Sequence, residues 1–145
     1  VLALSSTLAL YNSSGLSRFN LTTGVSEVLK DITSPSLLAR TLDGSIWYGH
    51  EHYDLHRSTD DGQTFEPVGL GGDYPRAVAV APDDPSHIYV GFTSGLFESR
   101  DNGLTWKEAG APYPIRCLVV DPLSGDVYVG TTNGGVFRYV PPISD

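Results

Sequence analysis

A short strand signature recurs three times along this chain at nearly constant intervals. Each copy has an aromatic residue at its centre and ends in glycine, and successive copies begin 42 and 39 residues apart. A period near 40 residues is typical of repeat architectures, in which each repeat is one supersecondary unit. The three copies are SIWYG at Ser45–Gly49, HIYVG at His87–Gly91 and DVYVG at Asp126–Gly130.

The same order of elements surrounds each signature. An apolar run comes first, a turn rich in Asp, Pro and Gly follows, and another strand pattern comes after the signature. We find no helical period, and short strands at this spacing favour an all-β sandwich, barrel or propeller. Four strands per unit favour propeller blades. The apolar runs are SLLART at Ser36–Thr41, RAVAVA at Arg76–Ala81 and IRCLVV at Ile115–Val120.

Two units carry the motif Ser-x-Asp-x-Gly-x-Thr followed by an aromatic residue, with the two aspartates 41 residues apart. Asp-Gly or Asn-Gly between strands favours a hairpin, because the turn requires positive φ. The aspartates accept hydrogen bonds from N–H groups of the turn, and the hydroxyls add further bonds. We therefore predict a structural role for Ser58, Asp60, Gly62, Thr64, Phe65, Ser99, Asp101, Gly103, Thr105 and Trp106.

The two ends of the chain fit the template less completely. TLALYN, GLSRFN and VSEVLK match the last three strands of a first unit, with LTTG in place of the motif, and the last unit stops after VFRYV. We predict one all-β domain over residues 1–145, with units at approximately 1–31, 32–72, 73–113 and 114–145. It is a β-propeller or partial propeller of about four four-stranded blades. The last blade is incomplete, or the N-terminal strand Val1–Ser5 closes it.

Charge and composition limit the partners of the chain. It has 9 basic and 17 acidic residues and a net charge of −8, so we expect no nucleic-acid partner. No apolar run approaches the ~20 residues that span a bilayer, so we expect no membrane insertion. The single cysteine, Cys117, lies in an apolar run and is predicted to be a small buried hydrophobe. We predict no cofactor and no bound metal.

The repeated motif resembles the Asp-box, or BNR repeat, of β-propeller proteins such as sialidases, two-domain xyloglucanases, sortilin-type receptors and photosystem II assembly factors. GLFESRDNGLTW and the preceding AVAPDDPSHIYVGFTSG carry the likeness most strongly, and it extends over Thr7–Val140. The resemblance implies a propeller in which these turns stabilise blades away from the active site. It also implies an extracytoplasmic protein, secreted or periplasmic.

The residues that catalysis requires in those families are not found. A sialidase-like enzyme would need an Arg-Ile-Pro motif, and YPIR at Tyr113–Arg116 does not supply it. Glycoside hydrolysis generally requires two carboxylates at a fixed separation, and we identify no such pair. We therefore predict a non-catalytic binding, interaction or assembly module with no catalytic residues. The alternative is a glycosidase-like or sialidase-like hydrolase, or a fragment of one.

Two features fall on the side of the propeller opposite the Asp-box-like turns, where we expect a protein or glycan ligand. In the second unit, the connection after SIWYG is unusually polar and contains His50, Glu51, His52 and Tyr53. Two histidines and a glutamate could hold zinc, but a ligand contact or a solvated loop is favoured. The other feature is a pair of Tyr-Pro segments before the inner strands, with Tyr74, Arg76, Tyr113 and Arg116 as predicted ligand contacts.

An open array of blades would have a further consequence. Its end blades leave unpaired backbone groups and apolar faces. We therefore also expect self-association that completes the propeller, or membership of a longer chain. Two four-unit chains would together make an eight-bladed ring.

Overall fold

The structure is a computed structural model and describes residues 2–3, 8–12, 16–30, 35–50, 55–70, 73–111 and 113–141. All regular elements among these residues are β-strands, as the sequence predicts. None of the described residues belongs to a helix that is long and apolar enough to cross a membrane. The strands are β1 Leu2–Ala3, β2 Leu8–Asn12, β3 Leu16–Asn20, β4 Ser26–Lys30, β5 Pro35–Arg40, β6 Ile46–His50, β7 Leu55–Ser58, β8 Glu66–Val68, β9 Pro75–Val80, β10 Ile88–Phe92, β11 Leu96–Ser99, β12 Lys107–Gly110, β13 Ile115–Val120, β14 Val127–Thr131 and β15 Val136–Tyr139.

These strands form four antiparallel sheets in which neighbours in sequence are neighbours in space. The first three sheets have the orders β1-β2-β3-β4, β5-β6-β7-β8 and β9-β10-β11-β12. The fourth has β13-β14-β15 within the described residues, so an incomplete last sheet is confirmed. The alternative in which the N-terminal strand closes the last sheet is wrong. Leu2 and Ala3 instead pair with Leu10 and Ala9 of the first sheet.

The strand order assigns the turns to two opposite ends of the array. Each complete sheet runs down its first strand, up its second, down its third and up its fourth. We call the end where first strands begin the upper end; it also carries the turns between second and third strands. The lower end carries the turns that contain Asp60 and Asp101, between β7 and β8 and between β11 and β12.

The core lies in the junctions between successive sheets. Alternate side chains of a strand point to opposite faces of its sheet. A sheet that lies between two others therefore packs one set of side chains against the preceding sheet and the other set against the following sheet. We call the face toward the next sheet its forward face and the other its backward face. Forward-facing Leu16 packs on Ile46 and Tyr48, Trp47 and Leu55 pack on Ile88 and Val90, and Tyr89 and Leu96 pack on Ile115 and Val127.

The glycine that ends the first and the second signature strand permits close approach of the next sheet. A Cβ placed on Gly49 would lie 2.5 Å from Cγ of Pro75, and one placed on Gly91 would lie 2.4 Å from Cγ2 of Ile115. Pro75 and Ile115 each begin an inner strand. Neither glycine has positive φ, so the requirement for glycine is steric. The junctions between the second and third sheets and between the third and fourth sheets therefore each contain a glycine notch filled by the first residue of the following inner strand.

The fourth sheet has no covering sheet on its forward face among the described residues. Val119 is 60% exposed, Tyr128 40% and Val136 74%. Cys117 lies on this same face and is exposed, so the prediction that it is buried is wrong. The apolar run that contains Cys117 resembles inner strands covered on both sides. In the described structure it is covered only on its backward face.

Candidate functional site

The two Ser-x-Asp-x-Gly-x-Thr turns share the hydrogen bonds that the serine and threonine donate to the aspartate. Asp60 accepts the hydroxyl of Ser58 at 2.7 Å, the hydroxyl of Thr64 at 2.6 Å and the Thr64 N–H at 2.9 Å. Asp101 accepts the corresponding bonds from Ser99 and Thr105 at 2.8, 2.5 and 2.8 Å. In each case the threonine bonds are the main cause that lowers the pKa of the aspartate, to about 2. Both turns thus stabilise an ionised carboxylate.

The glycines and aromatic residues complete these turns. The N–H groups of Gly62 and Gly103 donate to the preceding serine hydroxyls at 2.9 and 2.8 Å, and their φ values are 82° and 90°. The ring of Phe65 contacts Tyr48 edge-on at 5.0 Å. The indole N–H of Trp106 donates to the Gly103 carbonyl at 3.0 Å. All these contacts are internal to the array and leave the upper end available.

At the upper end, Tyr74 immediately precedes β9 and is half-buried. Arg76 is exposed, and its guanidinium carbon lies 5.8 Å from the centre of the Tyr74 ring. The Asp73 carboxylate accepts the Thr93 hydroxyl and, at 2.6 Å, the Ser94 N–H. Burial raises the pKa of Asp73, but the hydrogen bonds from Ser94 and Thr93 outweigh it and hold the pKa below its usual value. Asp73 therefore ties this segment to the turn between β10 and β11.

A second aromatic and arginine group lies at the upper end of the fourth sheet. Tyr113 is 41% exposed and stacks on Phe137, which is 37% exposed, with ring centres 5.7 Å apart and planes 16° apart. On the same blade, Nε of exposed Arg116 donates to the Thr132 hydroxyl at 2.9 Å. Phe137 is not among the predicted contact residues; strand pairing places it opposite Val129, on the backward face.

The two Tyr-Pro segments are not equivalent in register. Pro75 is the first residue of β9, whereas Pro114 precedes β13, which begins at Ile115. Tyr113 therefore occupies the position of Asp73 and not that of Tyr74. The sequence alone aligns the prolines, whereas the structure aligns the strand starts.

The polar connection of the second unit is only partly within the described structure. His50 ends β6, where it pairs with Pro35, and it is half-buried. The other predicted contact residues, Glu51, His52 and Tyr53, lie outside the described residues. Among the residues that are described, no group of three or more metal-ligating side chains is present.

Sequence reasoning missed a buried polar cluster between the third and fourth sheets. Glu98 is 3% exposed, and its Oε2 lies 3.3 Å from Nε2 of His87. The Tyr139 hydroxyl donates to the same oxygen at 3.2 Å across the junction. Nδ1 of His87 is 3.4 Å from the Tyr89 hydroxyl, and the Arg100 guanidinium lies 3.9 Å from Glu98.

This cluster borders a cleft of about 370 Å³ at the lower end, lined in part by His87, Tyr89 and Arg100. Burial is the main cause that raises the pKa of Tyr89, and the Glu98 charge adds to it. Burial and the Glu98 charge likewise raise the pKa of Tyr139. Both tyrosine hydroxyls therefore remain protonated at physiological pH, and that of Tyr139 is a hydrogen-bond donor. The cluster joins two sheets, and residues that contact the buried Glu98 carboxylate line the cleft.

Known proteins resemble this chain in three-dimensional architecture more clearly than in amino-acid sequence. No family model matches the chain, and no curated protein matches it by sequence. Among solved structures, an ancestral GH74 enzyme aligns with 95% of the chain at a TM-score of 0.74 and 17% identity. YCF48 bound to D1 peptide aligns with 89% at 0.69 and 19% identity. The extracellular domain of a B. thetaiotaomicron one-component system aligns with 91% at 0.69 and 21% identity.

The fold is that of an incomplete β-propeller. Each four-stranded sheet is a blade, and the fourth blade has three strands within the described residues. The chain spans 22% of the GH74 enzyme, 45% of YCF48 and 19% of the extracellular domain. Identities this low establish the fold alone, and propellers of this kind include both an enzyme and a peptide-bound protein.

Proposed function

We propose that this propeller chain is a non-catalytic binding module that takes a protein or glycan ligand at the upper end of its blades. The observation that carries the proposal is the presence of an aromatic ring and an exposed arginine at the upper end of each of two adjacent blades. Tyr74 and Arg76 supply these groups on the third blade, and the Tyr113–Phe137 stack and Arg116 supply them on the fourth. Their arrangement gives a ligand both flat apolar surface and charged donors.

The chemistry of these groups suits the two ligand classes in different ways. The Tyr113–Phe137 stack presents an exposed ring surface of the kind on which a sugar face packs. The guanidinium groups of Arg76 and Arg116 suit carboxylates of a peptide or an acidic sugar, because guanidinium binds them through two parallel hydrogen bonds. Aromatic residues and arginine are also the side chains that dominate protein interfaces energetically.

The fold neighbours support a ligand at a propeller surface and a location outside the cytoplasm. One neighbour is peptide-bound, and another is an extracellular domain. The turns at Asp60 and Asp101 fit a role as Asp-boxes, because their polar groups bond within each turn. We accordingly propose that these turns stabilise the blades and take no part in binding.

Calorimetric titration with two probes tests the proposal, one a xyloglucan oligosaccharide and the other the D1 peptide. Tyr113→Ala and Arg116→Gln should each weaken binding of the active probe at least tenfold, which corresponds to about 1.4 kcal/mol. Leu104→Ala is the control, since Leu104 is 84% exposed at the lower end. Absence of binding to both probes would refute the binding function. Unchanged affinity in both variants would place the ligand elsewhere.

A second candidate function, hydrolysis, rests on the cluster around Glu98. A buried carboxylate that receives a tyrosine hydroxyl, and whose neighbours His87 and Arg100 line a cleft, is suited to act as an acid or nucleophile. The GH74 fold neighbour adds weight to this alternative. Release of reducing sugar from xyloglucan by the wild-type chain, lost in Glu98→Gln with the melting temperature retained, would favour the hydrolase over the binding module.

A further inference from the structure

The turn between β3 and β4 of the first blade takes the place of the Ser-x-Asp-x-Gly-x-Thr turns of the second and third blades. Its sequence is Asn-Leu-Thr-Thr-Gly over residues 20–24. The first three of these residues form the pattern Asn-x-Ser/Thr without proline in the middle, which is the acceptor pattern for N-linked oligosaccharides. The blade that lacks the structural motif therefore carries an acceptor pattern at the same place in its fold.

One oxygen atom of the Asn20 side chain holds this turn in shape. Its Oδ1 accepts the N–H groups of Thr22 and Thr23, each at 2.9 Å. The backbone of Asn20 also bonds across the turn, because its N–H donates to the Val25 carbonyl and its carbonyl accepts the Gly24 N–H, both at 2.9 Å. Short amide side chains commonly bond to the backbone of a turn in this way. The fold thus uses the oxygen of the side-chain amide.

The groups that glycosylation requires are those that the turn leaves unused. Among the described residues, none forms a hydrogen bond with Nδ2 of Asn20 or with the hydroxyl of Thr22. Asn20 is half-buried, whereas Thr22 is exposed and Leu21 between them is 50% exposed. An oligosaccharide attached to Nδ2 would leave Oδ1 as an amide oxygen with both of its hydrogen bonds. The modification is therefore compatible with the folded turn.

The surface beside Asn20 has room for a sugar. Asn20 lines an open cleft of about 420 Å³ together with Arg18, Thr23, Val25 and Glu27. Arg18 and Glu27 form an ion pair at 2.7 Å, and their side chains remain 30% and 61% exposed. A sugar attached at Asn20 would therefore find charged groups that can bond to its hydroxyls within the same cleft.

We propose that Asn20 is an acceptor site for an N-linked oligosaccharide, which is added in a secretory compartment. In this reaction Nδ2 forms a bond to the first carbon of a sugar that a lipid phosphate carries. The bond between that carbon and the phosphate oxygen breaks, the lipid phosphate leaves with the electron pair, and Nδ2 loses one proton. The co-substrate is thus a lipid-linked oligosaccharide. The proposal rests on the extracytoplasmic location proposed above, because such acceptor sites are used in secreted proteins.

The position of the turn separates this modification from ligand binding. The turn lies at the lower end of the first blade, whereas the proposed ligand contacts lie at the upper end of the third and fourth blades. An attached oligosaccharide is bulky and increases solubility. At Asn20 it would cover exposed apolar surface, because Leu21 is 50% and Val25 63% exposed. The glycan would therefore shield the lower end and leave the proposed ligand surface open.

The chain contains a second match to the acceptor pattern, Asn-Ser-Ser over residues 12–14. Asn12 ends β2 and pairs with Leu16, but Ser13 and Ser14 lie outside the described residues. We therefore confine the proposal to Asn20. Asn12→Gln removes the second pattern and gives a background in which modification at Asn20 is measured alone.

Cell-free translation with microsomal membranes tests the proposal. The full chain with Asn12→Gln is preceded by a cleavable signal sequence, so it enters the compartment that holds the transferase. Failure of this test would therefore concern Asn20 itself and not the proposed location of the protein. One oligosaccharide should be added, which appears as an increase in mass that an endoglycosidase specific for N-linked glycans reverses.

Four variants separate modification from the structural role of the turn. Asn20→Asp keeps an acceptor oxygen for the turn but replaces Nδ2 by oxygen, so the chain should fold and lose the oligosaccharide completely. Thr22→Ala should lose it as well, whereas Thr22→Ser should retain it, because serine also satisfies the pattern. Thr23→Ala is the matched control. The Thr23 hydroxyl accepts the Val25 N–H at 3.4 Å but lies outside the pattern, so the oligosaccharide should be retained.

Three results would overturn the proposal. The first is a chain that is protected from protease inside the membranes and yet carries no oligosaccharide. The second is modification that persists in Asn20→Asp or Thr22→Ala, which would place the oligosaccharide on another residue. The third is a lower melting temperature for the modified chain than for the unmodified one, which would show that the folded turn does not accommodate the glycan. Circular dichroism melting of unmodified Asn20→Asp and Thr22→Ala checks that both variants fold.

Discussion

Gly91→Ala tests the glycine notch that joins the third and fourth blades. The new Cβ would lie 2.4 Å from Cγ2 of Ile115 and 3.0 Å from its Cβ. Carbon atoms in contact are normally about 3.5–4.0 Å apart, so about 1 Å of displacement is needed. Ile115 is 1% exposed and begins an inner strand. It has little room to move without separating the blades.

The expected magnitude follows from two opposing effects. Overpacking of a well-packed core costs about 1–3 kcal/mol. Replacing glycine by alanine recovers about 0.5 kcal/mol, because the unfolded chain loses conformational freedom. The net loss of stability is about 1–2 kcal/mol, which lowers the melting temperature of a chain of this size by roughly 2–8 °C.

Chemical denaturation of a mutant cycle measures this effect. Gly69→Ala is the control, because no atom lies within 4 Å of its added Cβ and its φ is not positive; it should be neutral or slightly stabilising. Ile115→Ala alone should cost about 2–5 kcal/mol. In the double variant, the methyl introduced at position 91 partly fills the vacated space, so the loss of stability should be smaller than the sum of the single losses by at least about 1 kcal/mol. Additivity within about 0.5 kcal/mol would show that the notch does not exist.

Two further predictions concern hydrogen-bonded carboxylates. Asp101→Asn should lower the melting temperature at pH 7. Because the pKa of Asp101 in the folded state is depressed to about 2, the ionised carboxylate stabilises the fold fully above pH 3.8. The difference in melting temperature between variant and wild type should therefore vanish as the pH falls through 2. Tyr139→Phe removes a donor from buried Glu98 and should cost about 1–2 kcal/mol in urea unfolding. A pH-independent Asp101→Asn difference, or a neutral Tyr139→Phe, would contradict these assignments.

The strand pattern of this chain could be predicted because its determinants are local. The alternation of apolar residues and the Asp-rich turns each act within a few residues of sequence. The three signature copies accordingly correspond to β6, β10 and β14. The same local logic identifies LTTG as a turn, where Asn20 accepts the N–H groups of Thr22 and Thr23 at 2.9 Å.

The relations between blades could not be predicted from the same signals. Tyr139 and Glu98 meet although 41 residues separate them, and no local pattern marks either one as a partner of the other. The prediction for Cys117 is wrong for a similar reason. Its run is as apolar as an inner strand requires, but burial depends on a neighbouring blade and not on the run itself. The local sequence specifies the strands of a blade, whereas contact with the neighbouring blade determines which of its side chains are buried.

The segments that lock the blades together are also those that present the proposed ligand contacts. Pro75, which fills the notch of the second blade, lies between Tyr74 and Arg76, and Ile115 immediately precedes Arg116. The distance between the two proposed ligand-binding groups is therefore set by how deeply each residue enters its notch. Gly91→Ala should therefore weaken the binding of a ligand that contacts both blades, because separating the third and fourth blades displaces Arg116 relative to Arg76. Packing in the junction between the blades thus determines the geometry of the proposed ligand-binding surface at the upper end.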